Sequence, residues 1–144
     1  MSCVYIEYDD LLEKHHKVIL ESDNTEDPGV RHPEAIRSTL DFIRDDSFYP
    51  LFEDKITHLV FAIAIRQDFL AANKRTAIIA GAYFLELNSY SQAVVGNFIQ
   101  QMENPVLWVA TRQIDKMILW HIIHDLIHDL EISEHTKLLI ATYQ

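Results

Sequence analysis

Hydrophobic side chains recur at helical spacing along most of this chain, and the pattern predicts an all-α fold. In residues 51–66 the apolar positions recur at intervals of three, four and seven residues: Phe52, Ile56, Leu59, Val60 and Ile63. This spacing places them on one face of an amphipathic helix. Residues 77–85 are apolar or small without a break. A helix that is apolar on all sides is buried, so we expect the helix over residues 74–87 to be the centre of the fold.

Similar stripes predict further helices over residues 9–20, from Pro33 onward, and over residues 115–130 with Asp115 as N-cap. A helical segment near residues 98–109 is interrupted at Asn104-Pro105, and residues 133–143 add a short terminal helix. Residues 21–32 and 67–73 are predicted to be loops. We therefore expect one domain over residues 1–144, a compact bundle of about six helices, with one small β-hairpin at residues 88–95 as a local alternative.

Composition narrows the classes of protein. The chain has 144 residues with only 3 Gly and 4 Pro, which suits one domain and disfavours a sandwich or barrel with many tight turns. The formal net charge of −10 argues against non-specific binding of nucleic acid, which needs a basic face. A nucleotide ligand needs only a local positive region, so the charge leaves it open.

The sequence also predicts the cellular compartment of the protein. No run of about 18 uncharged apolar residues occurs, so we expect no membrane-spanning helix. The acidic N-terminus lacks the features of a signal peptide. The single Cys3 excludes an intrachain disulfide and suits a reducing compartment. The expected location is the cytoplasm.

The segment Asn73-Lys74-Arg75 carries the candidate chemistry, because it stands where a loop delivers the chain to the buried helix. The first N–H groups of a helix lack intrahelical partners, and the helix dipole adds about half a positive charge there. Lys74 and Arg75 add two full charges, and Arg can hold two phosphate oxygens at once. The amide of Asn73 can hold either the loop or a phosphate. A phosphate site is one interpretation, and a solvated basic pair is the other.

The window Gln67-Asp68-Phe69-Leu70-Ala71-Ala72-Asn73-Lys74-Arg75 resembles the active-site motif of the Fic/Doc family, H-x-F-x-D/E-A/G-N-G/K-R. Lys after the Asn is similar to the small Doc branch. The resemblance extends over roughly residues 5–128 through short matching segments, at residues 27–31, 34–36, 76–77, 84–88, 109–110 and 113–115.

The resemblance implies a helix bundle whose loop binds ATP or a related nucleotide with Mg²⁺. Fic-type members transfer AMP to a protein hydroxyl, and Doc-type members transfer phosphate to a threonine of elongation factor Tu. The Doc-type proteins are toxins paired with a small antitoxin such as Phd. Carried over, Asn73, Lys74 and Arg75 are the phosphate-binding residues, and Phe69 anchors the loop in the core. His15-His16 falls where the family often has a histidine, which we expect to be structural.

Two positions depart from the motif. Gln67 replaces the family's catalytic His and cannot accept a proton near neutral pH. Ala71 replaces the acidic metal ligand and has no oxygen to offer Mg²⁺. Asp68 is adjacent to Gln67 but its side chain diverges from it, and His58 lies too far along the preceding helix to substitute. Loss of a general base costs about 10²–10⁴ in rate.

Several functions therefore stay open. The chain is either a Doc-like toxin that transfers phosphate or AMP to a target such as a translation factor, or a pseudoenzyme that binds a nucleotide or protein partner without turnover. A third hypothesis is a toxin disabled by deliberate substitution. The fourth is a helical interaction module in which the basic segment is only surface.

The last long helix carries His121, His124, Asp125 and His128 on one side. Spacings of three and four residues can place such side chains on one divalent metal. The same side lies opposite the apolar stripe, where a solvated face belongs. We assign no metal ligands from the sequence.

Overall fold

A computed structural model describes residues 2–22 and 26–143 of the chain. Within these ranges the chain folds into eight helices: α1 Tyr8–Glu21, α2 Pro33–Phe42, α3 Phe52–Arg66, α4 Asn73–Leu87, α5 Gln92–Gln101, α6 Glu103–Ala110, α7 Lys116–Asp129 and α8 Glu134–Thr142. The all-α prediction is confirmed for this part of the chain. None of these helices has both the length and the apolarity that a membrane crossing requires.

Helix α4 is the central helix, as its unbroken apolar sequence predicts. It packs against α1, α3, α5 and α6, and α3 in turn packs against α2, α6 and α7. Eight of the residues of α4 are buried: Thr76, Ala77, Ile78, Ala80, Gly81, Ala82, Phe84 and Leu85. Because helices surround α4, its first turn and the loop that leads into it are held by the core.

The predicted hairpin at residues 88–95 is wrong. Ser91 is the N-cap of α5, and its side chain accepts a hydrogen bond from the N–H of Val94. The capping serine begins a helix where the local composition also allowed a turn. Within the described residues, the only extended pairing is an isolated bridge between Val30 and Phe69.

The helix count exceeds the predicted six, partly because the segment near residues 98–109 is two helices. The break lies at Met102, before Asn104-Pro105, and Pro105 is the third residue of α6. Proline is tolerated in a first turn because its missing N–H would have no intrahelical partner there. The predicted terminal helix is confirmed as α8, and Asp115 caps α7 by accepting from the N–H of Ile118.

Gly81 provides a test of the α4 packing. A Cβ at this position would lie 2.8 Å from the ring of Phe98 and 3.0 Å from Val60 Cγ2. We expect Gly81→Ala to lower the free energy of unfolding by about 1–3 kcal/mol, although alanine favours a helix. Urea denaturation measures this change.

Gly96 in α5 is the matched control, because a Cβ there meets no atom within 4 Å. Gly96→Ala should stabilise the protein by about 0.5–1 kcal/mol through helix propensity alone. Equal stabilisation by both substitutions would contradict the close α4–α5 packing.

Candidate functional site

The loop of residues 67–72 joins α3 to α4 and is bounded by two left-handed residues. Gln67 ends α3 at φ 53°, and Ala72 stands directly before α4 at φ 62°. Left-handed backbone is uncommon outside glycine, so surrounding contacts must hold these turns in place. Three sets of contacts do so.

The first is the side chain of Asn73. Its Oδ1 accepts a hydrogen bond from Phe69 N at 2.9 Å, and its Nδ2 donates to Phe69 O at 3.0 Å. The backbone N–H and C=O of Phe69 are thereby both hydrogen-bonded. The amide of Asn73 could hold either the loop or a phosphate, and in the structure it holds the loop.

The second is the burial of Phe69. Its side chain is fully buried and its ring stacks on the imidazole of His15 at 4.0 Å between centroids. His15 Nε2 lies 3.0 Å from the carbonyl oxygen of Ala71 and donates to it. Burial lowers the pKa of His15 below its ordinary value, although the hydrogen bond with Ala71 opposes the shift. His15 is therefore a neutral structural residue, as expected.

The third is an ion pair beneath the loop. Asp68 is fully buried, and Arg66 Nη2 donates to its Oδ2 at 2.9 Å. The backbone oxygen of Asp68 accepts from the N–H groups of Arg31 and His32, at 2.8 and 2.9 Å. Asp68 is therefore committed to the structure of the loop. It does not replace the missing base.

Within residues 2–22 and 26–143, no side chain covers the start of α4 in the way that an N-cap does. Ala72 offers no side-chain cap. The N–H groups of Asn73, Lys74 and Arg75 find no acceptor among residues 2–22 and 26–143. A left-handed residue followed by helical ones points successive N–H groups inward, and such concave arrangements bind anions. The dipole of α4 adds to this preference.

The two cations at this helix start differ. Lys74 is exposed and forms no ion pair within the part of the chain described. Arg75 Nη2 pairs with Glu26 Oε1 at 2.5 Å. An incoming anion therefore meets one exposed ammonium group and one guanidinium group that a carboxylate already holds.

A groove of about 650 Å³ adjoins this start and lies between α1, α4, α5 and α6. Lys74 and Arg75 line it together with apolar side chains and three further polar residues: Val18, Ile78, Ile79, Ile99, Leu107, Glu21, Glu103 and Asn104. Neither Gln67 nor Ala71 lines the groove. The structure thus brings the basic pair to a partly apolar groove, and it leaves the two substituted positions outside that groove.

Sequence reasoning missed a partly buried polar pair, His58 of α3 and Lys116 of α7. Lys116 also lines a mostly apolar pocket of about 400 Å³ beside these helices. Lys116 Nζ donates to His58 Nδ1 at 2.7 Å, and the ring of Tyr49 lies 4.9 Å from the His58 ring. Burial, with the charges of Lys116 and Arg66, lowers the pKa of His58 to about 4. Burial also lowers the pKa of Lys116, against the opposing charge of Asp54. The separation of His58 and Lys116 by 58 positions hides this pair from sequence patterns.

The four polar residues on one side of α7 divide into separate environments. Asp125 is buried and accepts from Thr136 Oγ1 at 2.6 Å, which ties α7 to α8. The ring of His121 lies 5.8 Å from that of His135. His124 and His128 instead meet Glu53 of α3.

The lowered pKa of His58 predicts how the free energy of unfolding depends on pH. The pKa of an unfolded histidine is about 6.5, so between that pH and 4 the unfolded state binds more protons than the folded state. The free energy of unfolding should therefore fall as the pH is lowered from 7 to 4.5. We expect this residue to contribute roughly 1–2 kcal/mol of that fall, since solvent screening reduces the full effect at a half-buried site.

Urea denaturation of wild type and of His58→Gln at the two pH values measures this contribution. Glutamine does not titrate but keeps an acceptor for Lys116. The exposed His16, substituted as His16→Gln, is the control and should keep the wild-type pH dependence. The same loss of stability in all three proteins would exclude the proposed lowering of the pKa of His58.

Comparisons of the chain with protein-family models, with curated proteins and with solved structures find no match. The Fic/Doc resemblance is therefore a hypothesis supported by the residues quoted above.

Proposed function

We propose that this protein is a Fic/Doc-like protein that binds the phosphates of a nucleotide such as ATP at the start of α4 and does not transfer them. The observation that carries the proposal is the start of α4, which has no side-chain cap from Ala72 and lies beside two basic side chains. The same loop offers neither a base nor a metal carboxylate at positions 67 and 71. The function is then that of a pseudoenzyme with a toxin-like fold.

Binding is supported by the sum of three terms. The N–H groups of residues 73–75 have no acceptor among the described residues, and each can donate to a phosphate oxygen. The exposed Lys74 supplies a positive charge, and the helix dipole has the same sign. A charged hydrogen bond contributes about 1.5–3 kcal/mol. The apolar wall of the groove suits the flat base of a nucleotide.

Glu26 sets a limit on that binding. Its carboxylate holds the guanidinium of Arg75, so a phosphate must displace it or share the cation. Glu26 is also a negative charge close to the path of the ligand, which weakens binding of an anion. Affinity for a nucleotide therefore depends on whether this pair opens.

Transfer is not supported, because the groups that could move a proton are used elsewhere. Asp68 is buried against Arg66, and His15 is stacked on Phe69 and bonded to Ala71. Gln67 is exposed at the end of α3 and cannot act as a base. A catalytic Mg²⁺ would find no carboxylate at Ala71.

The second candidate is the full Doc-like toxin. It would transfer phosphate or AMP from ATP to a hydroxyl of a target such as a translation factor, and a small Phd-like antitoxin would restrain it. The observation in its favour is the intact loop, in which Asn73 holds Phe69 and the start of α4 stays open. A toxin-like role without transfer would use the same partners.

Binding is tested with ATP and isothermal titration calorimetry. We expect wild type to bind ATP, and Lys74→Ala to weaken it about tenfold, the effect of losing about 1.4 kcal/mol. Glu26→Gln should strengthen binding several-fold, because it frees Arg75. Lys137→Ala is the matched control, since this exposed lysine of α8 pairs only with its neighbour Glu134 among the described residues. Absence of ATP binding by folded wild type would refute the proposal.

Transfer is tested with ATP labelled at the α- or γ-phosphate, Mg²⁺ and cell lysate. We expect no labelled protein with wild type and a labelled protein with Gln67→His combined with Ala71→Asp, which restores the base and the metal ligand. Histidine is tolerated in the left-handed conformation of residue 67. Circular dichroism confirms folding. If wild type labels a target and Lys74→Ala abolishes the label, the second candidate is correct.

A further inference from the structure

A cluster of Glu53, His124 and His128 joins α3 to α7 on the surface, and no side chain of the cluster lines the groove beside α4. Two of its residues lie one helical turn apart on α7. The third comes from the first turn of α3. The cluster is called the His–Glu cluster below.

The possible metal-binding atoms of the His–Glu cluster lie close together. His124 Nδ1 lies 3.2 Å from Glu53 Oε2, and His128 Nε2 lies 3.0 Å from the same oxygen. All three ligand atoms lie within 4.8 Å of one another. Bonds of about 2.0–2.2 Å to a tetrahedral zinc ion separate neighbouring ligand atoms by about 3.3 Å. The two separations from Glu53 Oε2 are therefore close to those of ligands around one ion, and the two histidine nitrogens lie no more than 4.8 Å apart.

Neighbouring side chains hold the cluster in place. The indole of Trp120 stacks on His124 at 5.0 Å between centroids and 6° between planes. Trp120 Nε1 donates to Asp54 Oδ1 at 2.9 Å, and Asp54 Oδ2 accepts from Leu51 N. This chain of contacts ties α7 to the first turn of α3, next to Glu53. Preorganised ligands lower the entropic cost of binding an ion.

The His–Glu cluster is open to solvent. The side chain of Glu53 is 15% exposed, and those of His124 and His128 are 38% and 45% exposed. An ion can therefore reach all three side chains from solution.

We propose that the His–Glu cluster binds one divalent transition-metal ion, such as Zn²⁺, through Glu53 Oε2, His124 Nδ1 and His128 Nε2. Two imidazoles and one carboxylate are ligands that zinc, nickel and cobalt share. Three protein ligands leave at least one position for water or for a ligand from solution. Because the ligands come from two helices, the bound ion links α3 to α7.

The test uses the untagged full chain, freed of metal by a chelator, and ZnCl₂ as the ligand in isothermal titration calorimetry. We expect one Zn²⁺ per chain. Glu53→Gln should weaken binding at least tenfold, although glutamine keeps the size of the side chain and an acceptor for the histidines. His128→Asn should weaken it similarly. The matched control combines His121→Asn with His135→Asn, the other close histidine pair of this region, and should bind as wild type does.

Co²⁺ provides an independent readout. Its visible absorption should appear with wild type and disappear with Glu53→Gln, while circular dichroism shows that both are folded. Absence of Zn²⁺ binding by wild type would show that the cluster is only a hydrogen-bonded contact between α3 and α7. Binding that survives Glu53→Gln but is lost in the His121/His135 control would likewise overturn the proposed ligands.

Discussion

The side chain of Asn73 determines the shape of the candidate phosphate site. Its two hydrogen bonds close the loop on the N–H and C=O of Phe69. A loop with a fully buried residue must satisfy those backbone groups, because an unpaired buried group costs about 1–3 kcal/mol. The closed loop leads through Ala72, in its left-handed conformation, into α4. There the N–H groups of residues 73–75 have no acceptor among the described residues.

Two ion pairs lie around the loop: one supports its structure, and the other lies at the candidate phosphate site. The Arg66–Asp68 pair is buried on its acidic side and supports the loop from below. Arg75 and Glu26 form a more exposed pair at the start of α4, where a competing anion can reach the guanidinium. Lys74 belongs to neither pair: it is exposed and forms no ion pair within the described ranges. The loop can therefore keep its conformation while the outer pair exchanges partners.

Helix α3 connects three polar regions that are distant in sequence. Its C-terminal end supports the loop through Arg66, its middle places His58 against Lys116, and its first turn presents Glu53 to the histidines of α7. Glu53 and His58 are partly buried, and both meet side chains of α7. The packing of α3 on α7 thus sets the distances in these two regions. Phosphate binding and metal binding are independent proposals that share this scaffold.

Several features follow from the sequence alone because their causes are local. The spacing of Phe52, Ile56 and Ile63 predicts α3, the unbroken apolar run after Arg75 predicts the buried α4, and Asp115 predicts the start of α7. Local patterns were insufficient at residues 88–95, where the cap at Ser91 favours α5 over a hairpin. They also misplaced the break between α5 and α6, because Pro105 is compatible with a first turn.

Only the tertiary structure decided what the candidate site residues do. Sequence identified Asn73, Lys74 and Arg75, but packing assigned Asn73 to the loop, left Lys74 in solvent and paired Arg75 with Glu26. It also separated Asp125 from His124 and His128 and supplied Glu53 from 71 positions away. Side-chain partners depend on how helices pack, and packing distances are not encoded in local periodicity. The sequence by itself therefore determined the helices and the basic start of α4, and the fold decided which charges meet there.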